Sequence, residues 1–123
     1  MEAGTFKLAA DNPADIAPAR HLVEMRLEEW GCEHGEDVLL VLSELVTNAV
    51  KHAGGAARIV VHSSDGVVRI VVHDANPVAP KMRSRPDESG GFGLRIVDHL
   101  TIEWGWTPES EGKQVWAEVS CPE

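Results

Sequence analysis

The stretch SELVTNAVKH, residues 43–52, decides the fold. It completes a helical repeat in which Val38, Leu42, Leu45, Val46 and Ala49 cluster on one side at about 100° per residue. Glu44 and Asn48 stand one turn apart on the adjoining side, with Lys51 in the same row. A carboxylate and a carboxamide at the margin of a buried face can both reach one point in front of the helix. The carboxamide oxygen is a hard ligand suited to Mg2+, and the carboxylate can take a proton or orient water. A solvated helix face has much the same composition, so the pair gains meaning only from what surrounds it.

Upstream, GTFKLA (residues 4–9) has the pattern of a short edge strand. The run DNPADIAP punctuates a helix start, and Ala19, Val23, Leu27 and Trp30 then recur at helical spacing until Gly31, placed for a left-handed cap. Gly35, Glu36 and Asp37 open the second helix, where acid suits the helix dipole. It ends near His52, at Ala53-Gly54-Gly55. The period then changes. ARIVVHS and VVRIVVHD are β-branched runs joined through Ser64-Asp65-Gly66, a hairpin signal. Residues 75–91 contain three prolines and end in two glycines, which implies a loop. A helix, GLRIVDHL, begins at Gly93, and TIEWGWT and QVWAEVS make a second antiparallel pair. The order β-α-α-β-β-loop-α-β-β predicts an α+β two-layer sandwich, with three helices on one face of a mostly antiparallel, mixed sheet.

Composition narrows the function. A chain of 123 residues with 43% hydrophobic content suits one domain, residues 1–123, with a real core. A net charge of −9 disfavours binding to a nucleic-acid backbone, although a helix N-terminus and a few local cations can still hold an anionic small molecule. Cys32 and Cys121 make no disulfide framework and have no metal-ligand spacing, so a reducing cytoplasm is the simplest setting. Neither a signal peptide nor a bilayer-length apolar run is visible.

Two further stations lie beyond the second helix. In VVHDANP, Asp74 ends an apolar strand, where a carboxylate can accept from an exocyclic amine such as that of adenine; a turn-initiating Asp before Asn-Pro has the same appearance. In ESGGFGLRIVDHL, Gly90, Gly91 and Gly93 run into a helix, with Lys81, Arg83 and Arg85 just upstream. Glycines let a backbone approach a ligand, and free N–H groups at a helix start attract phosphate. A flexible loop ending in a helix cap is the plainer alternative.

The order of the three stations resembles the GHKL (Bergerat-fold) ATPases. SELVTNAVKHAG is similar to that superfamily's N-box, VVHDANP to its G1 region and GGFGLRIVD to its G2 region. The wording SELVTNA and the closing GKQVWAEV resemble most the anti-sigma-factor serine/threonine kinases and small ATP-binding regulators of actinobacteria. The resemblance spans about residues 5–120. It implies that Asn48 holds Mg2+ on the ATP phosphates and that Glu44 is the general base for a protein serine or threonine hydroxyl. It implies that Asp74 binds the adenine amine, with Asn76 beside it in G1. Gly90, Gly91, Phe92, Gly93 and Leu94 would bring G2 to the phosphates, aided by Lys81 and Arg83, and residues 78–90 would form the lid. His52, just after the N-box, would touch phosphate or else cap its helix. A sigma factor, an anti-anti-sigma (STAS) protein, or both would be partners, with neither nucleic acid nor membrane engaged directly and a homodimer possible. One departure stands out: G1 usually runs DxGxG, whereas here Asn76 and Pro77 follow. Asn enters the left-handed region less readily than Gly, and Pro removes an amide donor. A nucleotide-gated or nucleotide-free interaction module is therefore the alternative to a kinase.

His62 and His73 fall on adjacent strands without a metal-binding pattern, so hydrogen-bonded strand histidines are expected. Trp104, Trp106 and Trp116 share a period of two and should pack.

Overall fold

The computed structural model describes residues 2–33, 35–52, 57–78 and 93–122. Strands β1 (Glu2–Ala10), β2 (Ala57–Ser64), β3 (Val67–Asp74), β4 (Glu103–Glu109) and β5 (Gly112–Ser120) form one sheet in the order β1-β2-β3-β5-β4. Helices α1 (Ile16–Glu29), α2 (Glu36–His52) and α3 (Gly93–Leu100) pack together and cover one of its faces. The two-layer α+β sandwich is as the element order implied. All four pairings are antiparallel, which corrects the expectation of a mixed sheet. β3 reaches β5 by a crossover through α3 and β4, and β5 still returns antiparallel because β4 adds a reversal.

Alternation along the strands explains the layering. On β2, β3 and β5 the residues Ile59, Val61, Val68, Ile70, Val72, Val115, Ala117 and Val119 are buried, and their neighbours are not. These β-branched side chains suit a pleated surface. Against them α2 sets Val38, Val41, Leu42, Leu45, Val46 and Ala49, all buried. From α1 come Ala19, Val23 and Leu27, and from α3 comes Val97. Trp30 packs against this core as well.

The outer face of the sheet carries Val60, Val71 and Trp116 in one row and several paired polar side chains around them. Thr5 Oγ1 lies 2.7 Å from His62 Nδ1, and His73 Nδ1 lies 2.9 Å from Glu109 Oε1, so both strand histidines are hydrogen-bonded as expected. The Arg69 guanidinium stacks 4.6 Å above Trp116, whose ring lies across Gly105. Trp104 packs on the core side and donates to Asp98 (3.1 Å), whereas Trp106 is exposed. The three strand tryptophans therefore do not share one packing role.

The β2–β3 connection is a tight turn in which Asp65 and Gly66 both take positive φ (52° and 77°), the twist that two-residue hairpins favour. Cys32, just after α1, is joined to Cys121 beyond β5, with Cα atoms 5.4 Å apart. Sequence gave these residues no common role; the fold brings them together from a separation of 89 residues. Beside them the Glu33 amide donates to the Pro122 carbonyl at 2.9 Å.

Ile70 lies at the centre of β3 and is wholly buried. Replacing it with Ala should cost about 2–5 kcal/mol. In urea the midpoint should fall while the slope stays unchanged.

Candidate functional site

Strand register places the site at one end of the sheet. Ala10, Ala57, Asp74, Lys113 and Pro108 lie in one row across all five strands. α2 ends at His52, a few residues before Ala57, so its C-terminal half lies toward this row. α3 ends at Leu100, next to Ile102, whose amide donates to Glu118 at the opposite end of the sheet (2.8 Å). Its first residue, Gly93, therefore points back toward the Asp74 end. There α3 packs along α2. The Asp74 end of β3, the start of α3 and the C-terminal end of α2 thus lie toward one end of the domain, with Asn48 one turn before that end of α2 and Glu44 at its middle.

Glu44 and Asn48 are both half-buried. Burial raises the Glu44 pKa above the ordinary glutamate value, and Lys51 partly opposes the shift. A carboxylate whose proton affinity is raised at the edge of a core is better suited to proton acceptance than one in water.

Asp74 is buried on the helix side of the sheet, as the alternation of β3 requires. Its Oδ1 accepts from the Asn76 amide at 2.9 Å, closing the turn that the Asp-Ala-Asn sequence favours. The same oxygen accepts from Lys113 Nζ at 3.1 Å, and that ammonium also donates to the Asn76 carbonyl at 2.9 Å. The two side chains are 2% and 4% exposed, so this ion pair is out of water. Gly112 lets β5 come this close: its φ is 144°, and a Cβ there would collide with the Asp74 carbonyl.

Lys113 and Gly112 escaped the sequence reading, although a signal existed. Lys113, Val115, Ala117 and Val119 occupy one alternating phase. A lysine in the apolar phase of a core strand needs a buried partner, and the β3 carboxylate is the one that register supplies.

Of the other candidates, Lys81, Arg83, Gly90, Gly91 and Phe92, with most of the 78–90 segment, lie outside the described residues. Gly93 and Leu94 open α3 as expected, and His52 closes α2. No group of three His, Cys, Asp or Glu among the described residues is placed to hold a metal. An ion at Asn48 would complete its coordination with phosphate oxygens and water, the usual manner of Mg2+. A cleft of about 330 Å³ opens at the same row, lined by Arg58, His73, Asp74, Ala75, Glu109 and Glu111 among others.

An open antiparallel sheet layered with three helices on one face is the architecture to compare. The family model described as histidine kinase-like ATPase domain matches residues 9–119, and the chain belongs to that family. A crystal structure of the RsbU and RsbW domains of Rv1364c from Mycobacterium tuberculosis has the same fold, with a TM-score of 0.69 and 21% identity over 95% of this chain. This chain spans 32% of that one. No curated protein matches the sequence. No helix among the described residues is long and apolar enough to cross a membrane.

The raised pKa of Glu44 has a signed consequence for stability. The folded state holds the proton more tightly than the unfolded chain, so this contribution is present at low pH. It is lost as pH rises from the ordinary glutamate value through the higher folded value. Denaturation midpoints followed across the weakly acidic range should show this decline, and Glu44→Gln should remove it.

Proposed function

We propose that this domain binds MgATP and acts as a regulator of the anti-sigma-factor type, transferring the γ-phosphate to a serine or threonine of an anti-anti-sigma partner with a STAS fold. Membership of the ATPase family supports nucleotide binding. The fold shared with the RsbW domain and the SELVTNA and GKQVWAEV wording support the regulatory branch. The observation that carries the kinase reading is Glu44: a half-buried carboxylate of raised pKa, one turn from Asn48, on the helix layer that covers the same face of the sheet as Asp74.

Each residue has a distinct task in this reading. Asp74 accepts a hydrogen bond from the adenine amine and fixes the base. The Asn48 carboxamide holds Mg2+, which neutralises phosphate charge when bound. Backbone amides at Gly93 and Leu94 face the phosphates at the positive end of α3. Glu44 orients the incoming hydroxyl and takes its proton as the oxygen attacks phosphorus. Little else is needed, because phosphoryl transfer is mainly positioning and charge stabilisation. The partner would be a sigma factor, an anti-anti-sigma protein, or each in turn, in the cytoplasm. Reducing conditions there favour the open form of the Cys32–Cys121 pair.

One observation favours a second reading, a nucleotide-gated or nucleotide-free interaction module. The Asp74 carboxylate is already engaged by Lys113 and the Asn76 amide, and Pro77 stands where the family's G1 run usually carries a residue with an amide N–H. Thermal denaturation separates nucleotide binding from a nucleotide-free module, and phosphotransfer separates a kinase from a nucleotide-gated one. MgATP at about 100 times its dissociation constant should stabilise the domain by about 2.7 kcal/mol; no shift with MgATP or MgADP would leave the nucleotide-free module.

Asn48→Ala should abolish the Mg2+-dependent part of nucleotide binding, measured by titration calorimetry with and without chelator. Glu44→Gln should bind MgATP as the parent does but slow phosphotransfer to a STAS-fold substrate by roughly 10²–10⁴-fold. Transfer at the parental rate would remove Glu44 from the role of base.

A further inference from the structure

Lys113 has more hydrogen-bonding capacity than the described residues satisfy. An ammonium carries three N–H donors. Those of Lys113 reach Asp74 Oδ1 at 3.1 Å and the Asn76 carbonyl at 2.9 Å, and no third acceptor is found among the described residues. The side chain is only 4% exposed, so bulk water does not readily complete the set. A buried donor left unsatisfied is costly, and this one lies against the carboxylate assigned to base recognition. Asp74 and Lys113 are register partners on the helix side of β3 and β5. They present an acceptor and a donor side by side.

Adenine offers the complement of that arrangement: an amine that donates, flanked by ring nitrogens that accept. We propose that Lys113 is a base-reading residue, donating its third N–H to a ring nitrogen beside the adenine amine while Asp74 accepts from the amine itself. This rests on the nucleotide-binding reading above and adds a specificity determinant to it. The same pair disfavours guanine in that orientation, because its O6 would face the Asp74 carboxylate, acceptor against acceptor. A purely structural Lys113, clamping the end of β3 to the turn after it, would have no stake in the ring nitrogens.

Affinities of the full chain for ATP, 1-deaza-ATP, 7-deaza-ATP and GTP, measured with Mg2+ by calorimetry, test this directly. One of the two deaza analogues should bind on the order of tenfold or more weakly than ATP, as expected for the loss of a hydrogen bond to a charged donor. GTP should bind more weakly than ATP. In Lys113→Met, ATP and that analogue should bind alike. Equal binding of ATP and both deaza analogues by the parent protein overturns the proposal, and this arm needs no variant to fold. A preference that survives in Lys113→Met overturns it as well and leaves Lys113 a clamp. Failure of the parent protein to bind any adenine nucleotide removes the underlying nucleotide reading and this inference together.

Discussion

The register of β3 against β5 is the constraint from which the rest follows. It is fixed because Val68, Ile70 and Val72 on one strand and Val115, Ala117 and Val119 on the other must share the face that α2 covers. Side chains alternate with a period of two, so a slip of one residue would turn this apolar set to solvent. It would also turn Asp74 and Lys113 away from the helices. Core packing and the placement of the charged pair are therefore one specification: hydrophobic burial along the strands positions the polar chemistry at their ends.

That arrangement explains why two charges are tolerated in so small a core. An isolated buried carboxylate or ammonium would shift its proton equilibrium or unfold its surroundings. Here Asp74 receives both a backbone amide and an ammonium, and the ammonium returns a bond to the carbonyl of the same turn. The pair adds little by way of net stability, since desolvation offsets much of the attraction. What it provides is rigidity. The end of β3, where an extended strand becomes the turn at Asp74–Asn76, is held from a neighbouring strand as well as by its own backbone.

Sequence exposed those features that rest on local periodicity. The β-branched runs, the 3.6-residue repeat of α2, the Asp-Gly turn and Gly31 with its φ of 73° were readable because each is specified within a few residues. Glu44 and Asn48 were also legible, since one helical turn relates them. Lys113 was not, because its meaning depends on a partner 39 positions away that only strand pairing reveals. The cysteine pair was hidden for the same reason. The fully antiparallel sheet was missed because element order alone does not fix the direction in which β5 returns to β3. The surroundings of Asp74 were half visible: its position at a strand end was plain, and the oxygen shared with Lys113 and the Asn76 amide was not.

The Cys32–Cys121 bond has a topological consequence. It ties the segment just after α1 to the residue just after β5, so α2, β2, β3, α3, β4 and β5 all lie inside one covalent ring. A single backbone cleavage inside that ring opens it without releasing a fragment while the bond is closed. Once the bond is reduced, the same cut yields two separate chains held only by packing. The exposed connections of the domain are thus insured against one nick in oxidising surroundings and uninsured in reducing ones.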